Sequence, residues 1–426
     1  MTNSAVGKNF VFKISKNAML TLKNLSLTTA SSTLIFFATT LPSAAVSFYS
    51  ITELPFRPSD INDNGQIVGE NYLWTNGNIT DFHQLIGQPD FYKLIYDLAN
   101  ITEQITGNDY SSLITSISKN PRSIQLTAIN NQGKIVGYWG DSIIGEQPFI
   151  ADDTDIKKIN GLYLIPNDIN DNGQMALVKL PVPQWLRYGA TGLFRDVDGT
   201  LTNLFSARAI LGMALNNSGQ VIGNGGGAGV RHSWFYDNGQ AKLLFPTEVL
   251  RENTFHIPLT VSSINDRGQI VGFGNLVSEP QDLYSPPIHG LLWNNPEQNP
   301  VGTDLGSIGG SYSQANSINN LGQIVGASGT NSRLTSAVIW EENSIYDLNN
   351  LIDNNLGWEL TSALKINNKG QIIGSGNLNG QSGYFLLTPT SKSVPESSSA
   401  FSLLSFAAFG IGWQIKRQRN QKKQII

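Results

Sequence analysis

The chain has 426 residues, of which 40% are apolar and only 14% charged, with 8 Trp, 13 Tyr and 19 Phe. Disordered chains are richer in charge and poorer in aromatic side chains, so this chain is expected to bury a core. It contains no cysteine, which excludes disulfide frameworks, zinc ribbons and thiol nucleophiles, and its formal net charge of −4 conceals an uneven distribution.

Residues 1–45 carry Lys8, Lys13, Lys16 and Lys23 and no acid, then an apolar run from Leu25 to Leu41, then Ser43-Ala44-Ala45. Basic, apolar and small-residue segments in that order read as a secretory signal peptide cut after Ala45, with an uncleaved membrane anchor as the alternative. Met19 lies inside the basic region and is a second candidate start.

From residue 61 onward one pattern recurs seven times. Its first copy is Ile61-Asn62-Asp63-Asn64-Gly65-Gln66-Ile67-Val68-Gly69, and the others begin at Ile129, Ile169, Leu215, Ile264, Ile318 and Ile366. A period near 50 residues points to stacked or radial repeats. The unit reads as a β-hairpin: Asn caps a short polar turn and Gly supplies the positive φ, at Gly65, Gly133, Gly173, Gly219, Gly268, Gly322 and Gly370. A second hairpin follows, as in Tyr72-Leu73-Trp74, Thr75-Asn76-Gly77-Asn78, Ile79. Four short strands per unit is the content of a propeller blade.

The seventh unit has a third strand at Gly383–Leu387 and then runs into Thr388-Pro389, with no fourth. The segment Phe48–Leu54 precedes the first motif and matches Ile345–Leu351, the fourth strand of unit six. A chain permuted by one strand closes a ring and removes its open edges. The expected fold is therefore all-β, a seven-bladed β-propeller over residues 46–390 closed by its N-terminal strand; an open β-solenoid or a six-bladed ring is the alternative. The long first interval implies an insertion at about 83–123, in which Phe91–Leu98 reads as a short helix on one face.

Asp60-Ile61-Asn62-Asp63-Asn64-Gly65 and Asp168-Ile169-Asn170-Asp171-Asn172-Gly173 each resemble the start of a calcium loop, with Asp60, Asn62 and Asn64, and Asp168, Asn170 and Asn172, as oxygen donors. The closing Glu is absent, because Asn71 and Lys179 stand there, and the other copies begin with Ala128, Ala214, Ser263, Ser317 or Lys365. The reading is a turn with a solvated Asp and no metal. Asp196-Val197-Asp198-Gly199 reads as a further hairpin turn. His232, Ser233 and Asp237 form no nucleophile motif, and the glycine-rich Gly223–Gly229 lacks the Lys-Ser/Thr of a phosphate loop and reads as a flexible turn. No catalytic residue and no cofactor site is expected. Trp74, Trp234, Trp293 and Trp340 recur at one place in their units and read as core, whereas Trp139, Trp185 and Trp358 are candidate sugar-stacking platforms.

The C-terminal end has Ser393-Val394-Pro395-Glu396-Ser397 within a linker at 391–399, an apolar stretch from Ala400 to Ile415, and a basic tail at 416–426 with Lys416, Arg417, Arg419, Lys422 and Lys423. At about 1.5 Å per residue the sixteen residues barely cover the hydrocarbon core of a bilayer, roughly 30 Å, and the basic tail would stay cytoplasmic. This order resembles the PEP-CTERM sorting signal, with Val394-Pro395-Glu396 matching and Ser397 in place of the usual second proline. The resemblance implies an exosortase-type sorting enzyme as partner and a precursor tethered to the inner membrane.

A second resemblance covers most of residues 55–390. Asp304-Leu305-Gly306-Ser307-Ile308-Gly309-Gly310-Ser311, Ala315, Ile318–Gly326 and Ala337-Val338-Ile339-Trp340 resemble the extracellular HAF repeat, whose His-Ala-Phe signature is degenerate here as Ser336-Ala337-Val338 and His289-Gly290-Leu291. It implies a secreted or surface repeat protein and assigns no reaction.

The two end segments hold nine of the 28 basic residues and no acid, leaving 19 basic against 32 acidic in residues 46–396, a net charge of −13. So acidic a body argues against nucleic acid or anionic lipid as partner. The expected function is a non-enzymatic binding or structural role at the cell surface or in the extracellular matrix, with exopolysaccharide or another envelope component as ligand. The alternative is a lyase or glycosidase built on the same scaffold.

Overall fold

Each repeat carries a pair of apolar residues just before its last position, and in a strand such neighbours point to opposite faces. A sheet built this way must be covered on both sides. In the computed structural model it is: Ile67 packs toward one neighbouring sheet and Val68 toward the other, and Ile324 and Val325 divide in the same way. Seven apolar clusters result, one in each joint between successive sheets, so the core is a set of wedges around an axis.

The structure describes residues 48–85, 123–140, 146–181 apart from 153, 154 and 162, 189–246 apart from 208, 228 and 229, 248, 259–276, 287–330 and 335–390. They form seven four-stranded antiparallel sheets. Their innermost strands are Asp60–Ile61, Ser123–Ile129, Leu164–Ile169, Ala209–Leu215, Leu259–Ile264, Ser313–Ile318 and Trp358–Ile366, in blades 1 to 7. Each innermost strand touches the next, and that of blade 7 touches that of blade 1. This is a closed seven-bladed β-propeller.

The seventh blade draws its outer strand from the N-terminus. Phe48–Leu54 pairs antiparallel with Gln381–Thr390, from Phe48 opposite Thr390 to Leu54 opposite Tyr384. The permuted strand read from the sequence is thus present, and neither an open solenoid nor a six-bladed ring describes the chain.

The recurring turns have the expected geometry. Gly65, Gly133, Gly173, Gly219, Gly268, Gly322 and Gly370 all have φ between +72° and +88°. In each, the Gly N–H donates to the Asn carbonyl three residues earlier. The outer hairpins use Asn76-Gly77 and Asn238-Gly239, both pairs at positive φ, as two-residue hairpins require. Gly199, at φ +90°, closes the Asp196 hairpin turn.

The last Gly of the repeat has a different reason to be Gly. A Cβ on Gly326 would stand 1.8 Å from the Gln314 carbonyl oxygen, and one on Gly272 2.1 Å from that of Thr260. The innermost strand bulges at these places, between Ala315 and Ser317 and between Val261 and Ser263, and presses its backbone onto the second strand. In blade 3 the equivalent residue is Leu177, opposite Pro166 and fully buried.

Several expectations lie outside the described residues: the leader 1–45, the helix read at Phe91–Leu98, Trp185, the linker with Val394, Pro395 and Glu396, and the apolar segment 400–415. No helix among the described residues is long and apolar enough to cross a membrane.

Candidate functional site: the axial channel

Two closed rings of hydrogen bonds surround the axis, and both are made by the repeated motif. The Asn of each copy sends its side-chain Nδ2 to the backbone carbonyl of the corresponding Asn in the next blade. The seven bonds run from Asn62 to Asn130, then through Asn170, Asn216, Asn265, Asn319 and Asn367, and return to Asn62, all at 2.9–3.0 Å. The following residue makes the second ring. Its N–H donates to the side-chain oxygen of its counterpart in the next blade, in the order Asp63, Asn131, Asp171, Asn217, Asp266, Asn320, Asn368 and back to Asp63, at 2.7–2.8 Å.

Each motif Asn is 3–5% exposed and engages both the oxygen and the nitrogen of its carboxamide. Its Oδ1 accepts from the N–H groups two and four residues on, as Asn62 does from Asn64 and Gln66 at 3.0 Å each. Burial of so polar a group is tolerated only with such complete pairing. The sequence reading of Asn as a turn cap was therefore correct and incomplete, because the same side chain also joins two blades.

The rings enclose a cavity of about 170 Å³ lined by the Ile or Leu, the Asn and the following Asp or Asn of every blade. The three carboxylates at this mouth are held by carboxamides. Asp171 Oδ2 accepts from Asn131 and Asn217, Asp266 Oδ2 from Asn217 and Asn320, and Asp63 Oδ2 from Asn368. They are engaged in holding the ring.

The candidate calcium loops are not assembled as such. Asn64 and Asn172 reach across to the next blade, donating to the Asn131 and Asn217 carbonyls, while Asn62 and Asn170 serve the ring. Among the described residues no group of three or more His, Asp or Glu could hold a metal ion. Asp60 and Asp168 are not the solvated turn residues expected. Asp60 Oδ2 accepts from the Ile129 N–H and Asp168 Oδ2 from the Leu215 N–H, both at 3.0 Å, each in the next blade. Lys365 Nζ lies 3.8 Å from Asp60 Oδ1. Burial raises the carboxyls of Asp60 and Asp168 above the usual range, Asp168 to about 7, and Lys365 partly offsets this in both. Burial works against the Lys365 charge too, but the two carboxylates outweigh it and hold its ammonium above the ordinary range.

Other sequence candidates resolve into structure. Ser233 is fully buried and bonds Asn224 Oδ1 and the Leu259 carbonyl, so it is no nucleophile. Within the glycine-rich segment, Gly223–Gly227 belong to the strand Val221–Gly227 and form no flexible turn, while 228–229 lie outside the described residues: Asn224 is buried and clasps both the N–H and the C=O of Val261 in the next blade. Trp74, Trp293 and Trp340 are buried, as expected of core, and Trp234 is half-buried against Phe205. Trp139 is no platform: it is 5% exposed and stacked on Phe149. Trp358 is half-buried, with its ring edge-on to Phe385. His289, read in the sequence only as the start of a degenerate His-Ala-Phe signature, sits with Nδ1 2.9 Å from Asp304 Oδ1.

No family model matches the sequence, and no curated relative does. Among solved structures, the chain is similar to the β-propeller domain of the Trilobed protease from Pyrococcus furiosus, at 12% identity and a TM-score of 0.43 over 61% of this chain and 80% of that one. It is similar to the Pyrococcus horikoshii acylaminoacyl peptidase at 13% identity and a TM-score of 0.43, over 63% of this chain and 46% of that one, so it spans about half of that protein's length. TolB from Acinetobacter baumannii is similar at 12% identity and a TM-score of 0.36, over 80% of each chain. These likenesses concern the fold alone.

Proposed function

We propose that the chain is an exported binding scaffold of the cell surface or extracellular matrix, which presents one face of a rigid ring to exopolysaccharide or another envelope component. The observation that carries this reading is where the repeats differ in length. The turn between the first and second strands has five residues in all seven blades, whereas the connection between the second and third strands ranges from 2 residues, at 70–71, to 12, at 276–287. Strand direction puts the uniform turns on the face with the Asn rings. The variable connections, and the 41-residue span between Asp81 and Ser123, leave from the opposite face. Loops that vary on a fixed scaffold are where binding specificity resides.

Export and the polysaccharide class rest on the resemblances to the sorting signal and the HAF repeat. The test is a glycan array combined with a turnover assay on residues 46–390, which contain every strand of the ring. Binding is expected, and it should be lost when residues 277–286 are replaced by a two-residue Asn-Gly turn. Product formation would establish an enzyme instead, and binding to no glycan would remove the polysaccharide reading.

A further inference from the structure

The residue before each Ile-Asn or Leu-Asn pair points from its innermost strand toward the axis or the next blade. Around the ring these residues are Asp60, Ala128, Asp168, Ala214, Ser263, Ser317 and Lys365. Four of them accept an N–H from the next blade: Asp60 from Ile129, Asp168 from Leu215, Ser263 from Ile318 and Ser317 from Ile366. Lys365 has no lone pair to offer when charged. Instead its ammonium faces Asp60 of blade 1, at 3.8 Å, and lies within electrostatic reach of Asp168 of blade 3. Blades 3 and 7 are not neighbours, so their side chains influence one another only across the axis.

The place of this cluster matters. The ring is sealed without a covalent link in blade 7, where Phe48–Leu54 zips onto Gln381–Thr390 at the outside. At the inside, blade 7 meets blade 1 through Asn367, Asn368 and Lys365, residues about 305 positions from their partners. The Asn motifs are nearly identical in all blades, so they do not tell blade 7 which blade to close upon. Blades 2 and 4 present Ala at the Asp60 position and blades 5 and 6 present Ser; blade 3 repeats the acid as Asp168, but its innermost strand is already flanked by those of blades 2 and 4. A partly buried charge pair, with 34% of the Lys365 side chain and 15% of that of Asp60 exposed, is a poor source of stability but an attested means of fixing register.

We propose that Lys365 is the internal counter-ion of the channel and the registry residue of ring closure, selecting blade 1 through Asp60 and partly offsetting the negative charge of Asp60 and Asp168 at the axis. The charged groups facing it are these two carboxylates. The remaining axial positions are Ala128, Ala214, Ser263 and Ser317, and Asp63, Asp171 and Asp266 at the mouth are bonded to carboxamides. A carboxyl raised above its unfolded value favours the fold at low pH and loses that advantage as pH rises through its folded value, about 7 for Asp168. Removing Lys365 removes the offset, so its loss is felt most where both carboxyls are ionised.

The test compares thermal midpoints of the wild-type chain, Lys365→Ala and the triple variant Lys365→Ala, Asp60→Asn, Asp168→Asn, near pH 5 and near pH 8. Ala already occupies this position in blades 2 and 4, so the backbone accepts it. Lys365→Ala is expected to lose several degrees more near pH 8 than near pH 5, with hydrogen exchange in residues 48–54 faster than in the wild-type chain at pH 8. The triple variant is expected to show a midpoint nearly independent of pH. An equal loss at both pH values, or none, would overturn the proposal, because a packing role does not depend on charge. If Lys365→Ala fails to fold at either pH, the triple variant decides: its folding supports charge compensation and its failure to fold overturns it.

Discussion

Replacing Asn319 by Ala removes four hydrogen bonds through one side chain. Its Oδ1 accepts from Leu321 N and Gln323 N at 3.0 Å each, and its Nδ2 donates to Asn367 O at 3.0 Å and Gln323 Oε1 at 2.7 Å. Leu321 is 68% exposed, so its N–H regains water. The Gln323 N–H loses its partner at a half-buried site, and the Asn367 carbonyl keeps only the Gly370 N–H. At about 1 kcal/mol net for each bond, and somewhat more for a group left unpaired inside, the variant loses about 3–4 kcal/mol. Urea unfolding followed by tryptophan fluorescence measures it. Asn319→Asp separates the turn from the joint: it keeps the acceptor for both N–H groups but turns an oxygen toward the Asn367 carbonyl. It should be as damaging as Ala at neutral pH and recover in part in acid, where the carboxyl is protonated. A loss below about 1 kcal/mol for Asn319→Ala would refute the view that these side chains hold the blades together.

Three further outcomes follow from the same geometry. Deleting residues 46–56 strips the outer strand from blade 7 and uncovers the fully buried Phe385 and Leu387, so the ring should become sensitive to limited proteolysis; an unchanged digestion pattern would contradict closure by that strand. The two glycines of blade 6 should rank in a definite order. Gly322→Ala strains a φ of +88° and displaces only the mobile tip of Arg267, at a cost of about 1 kcal/mol, whereas Gly326→Ala puts a methyl onto the Gln314 backbone oxygen and should prevent that blade from forming, as soluble yield and melting will show. Burial above all, with help from Glu341, raises the Tyr49 hydroxyl to about 12. The neutral ring favours the fold below the unfolded value near 10, and this advantage is lost as pH rises from 10 through 12; Tyr49→Phe should therefore flatten the alkaline limb of the stability curve.

The blade count, the hairpins and the permuted strand were legible because each depends on local chemistry. Gly at positive φ, Asn-Gly turns and paired apolar residues are signals within a few residues, and Phe48–Leu54 betrayed itself by likeness to Ile345–Leu351. The second duty of the Asn was not legible, since its partner lies in another repeat 40 to 68 residues on, or 305 back at the seam. Asp60 and Asp168 were read as hydrated for a related reason. The variation of their column through Ala, Ser and Lys looked like indifference to residue type. In a chain with 14% charged residues, two acids and a base in one seven-membered column were the available signal, and only ring closure brings them together. The platform read at Trp139 failed because its ring meets Phe149 across a strand pair that period alone does not reveal.

The repeat is better understood as a joint than as a turn. Every motif Asn donates forward, to the blade that follows, and its own carbonyl receives the donor of the blade before. A side-chain substitution therefore opens one joint and leaves the preceding one intact, because the backbone carbonyl remains. Blade 7 obeys the same rule toward blade 1 as any blade toward its successor, so the inner wall of the ring has no seam of its own. What distinguishes that joint is the strand exchanged at its outer edge and the charge at its inner one. The uniform Asn rings make the wall continuous, and Lys365 with Asp60 marks where it must close.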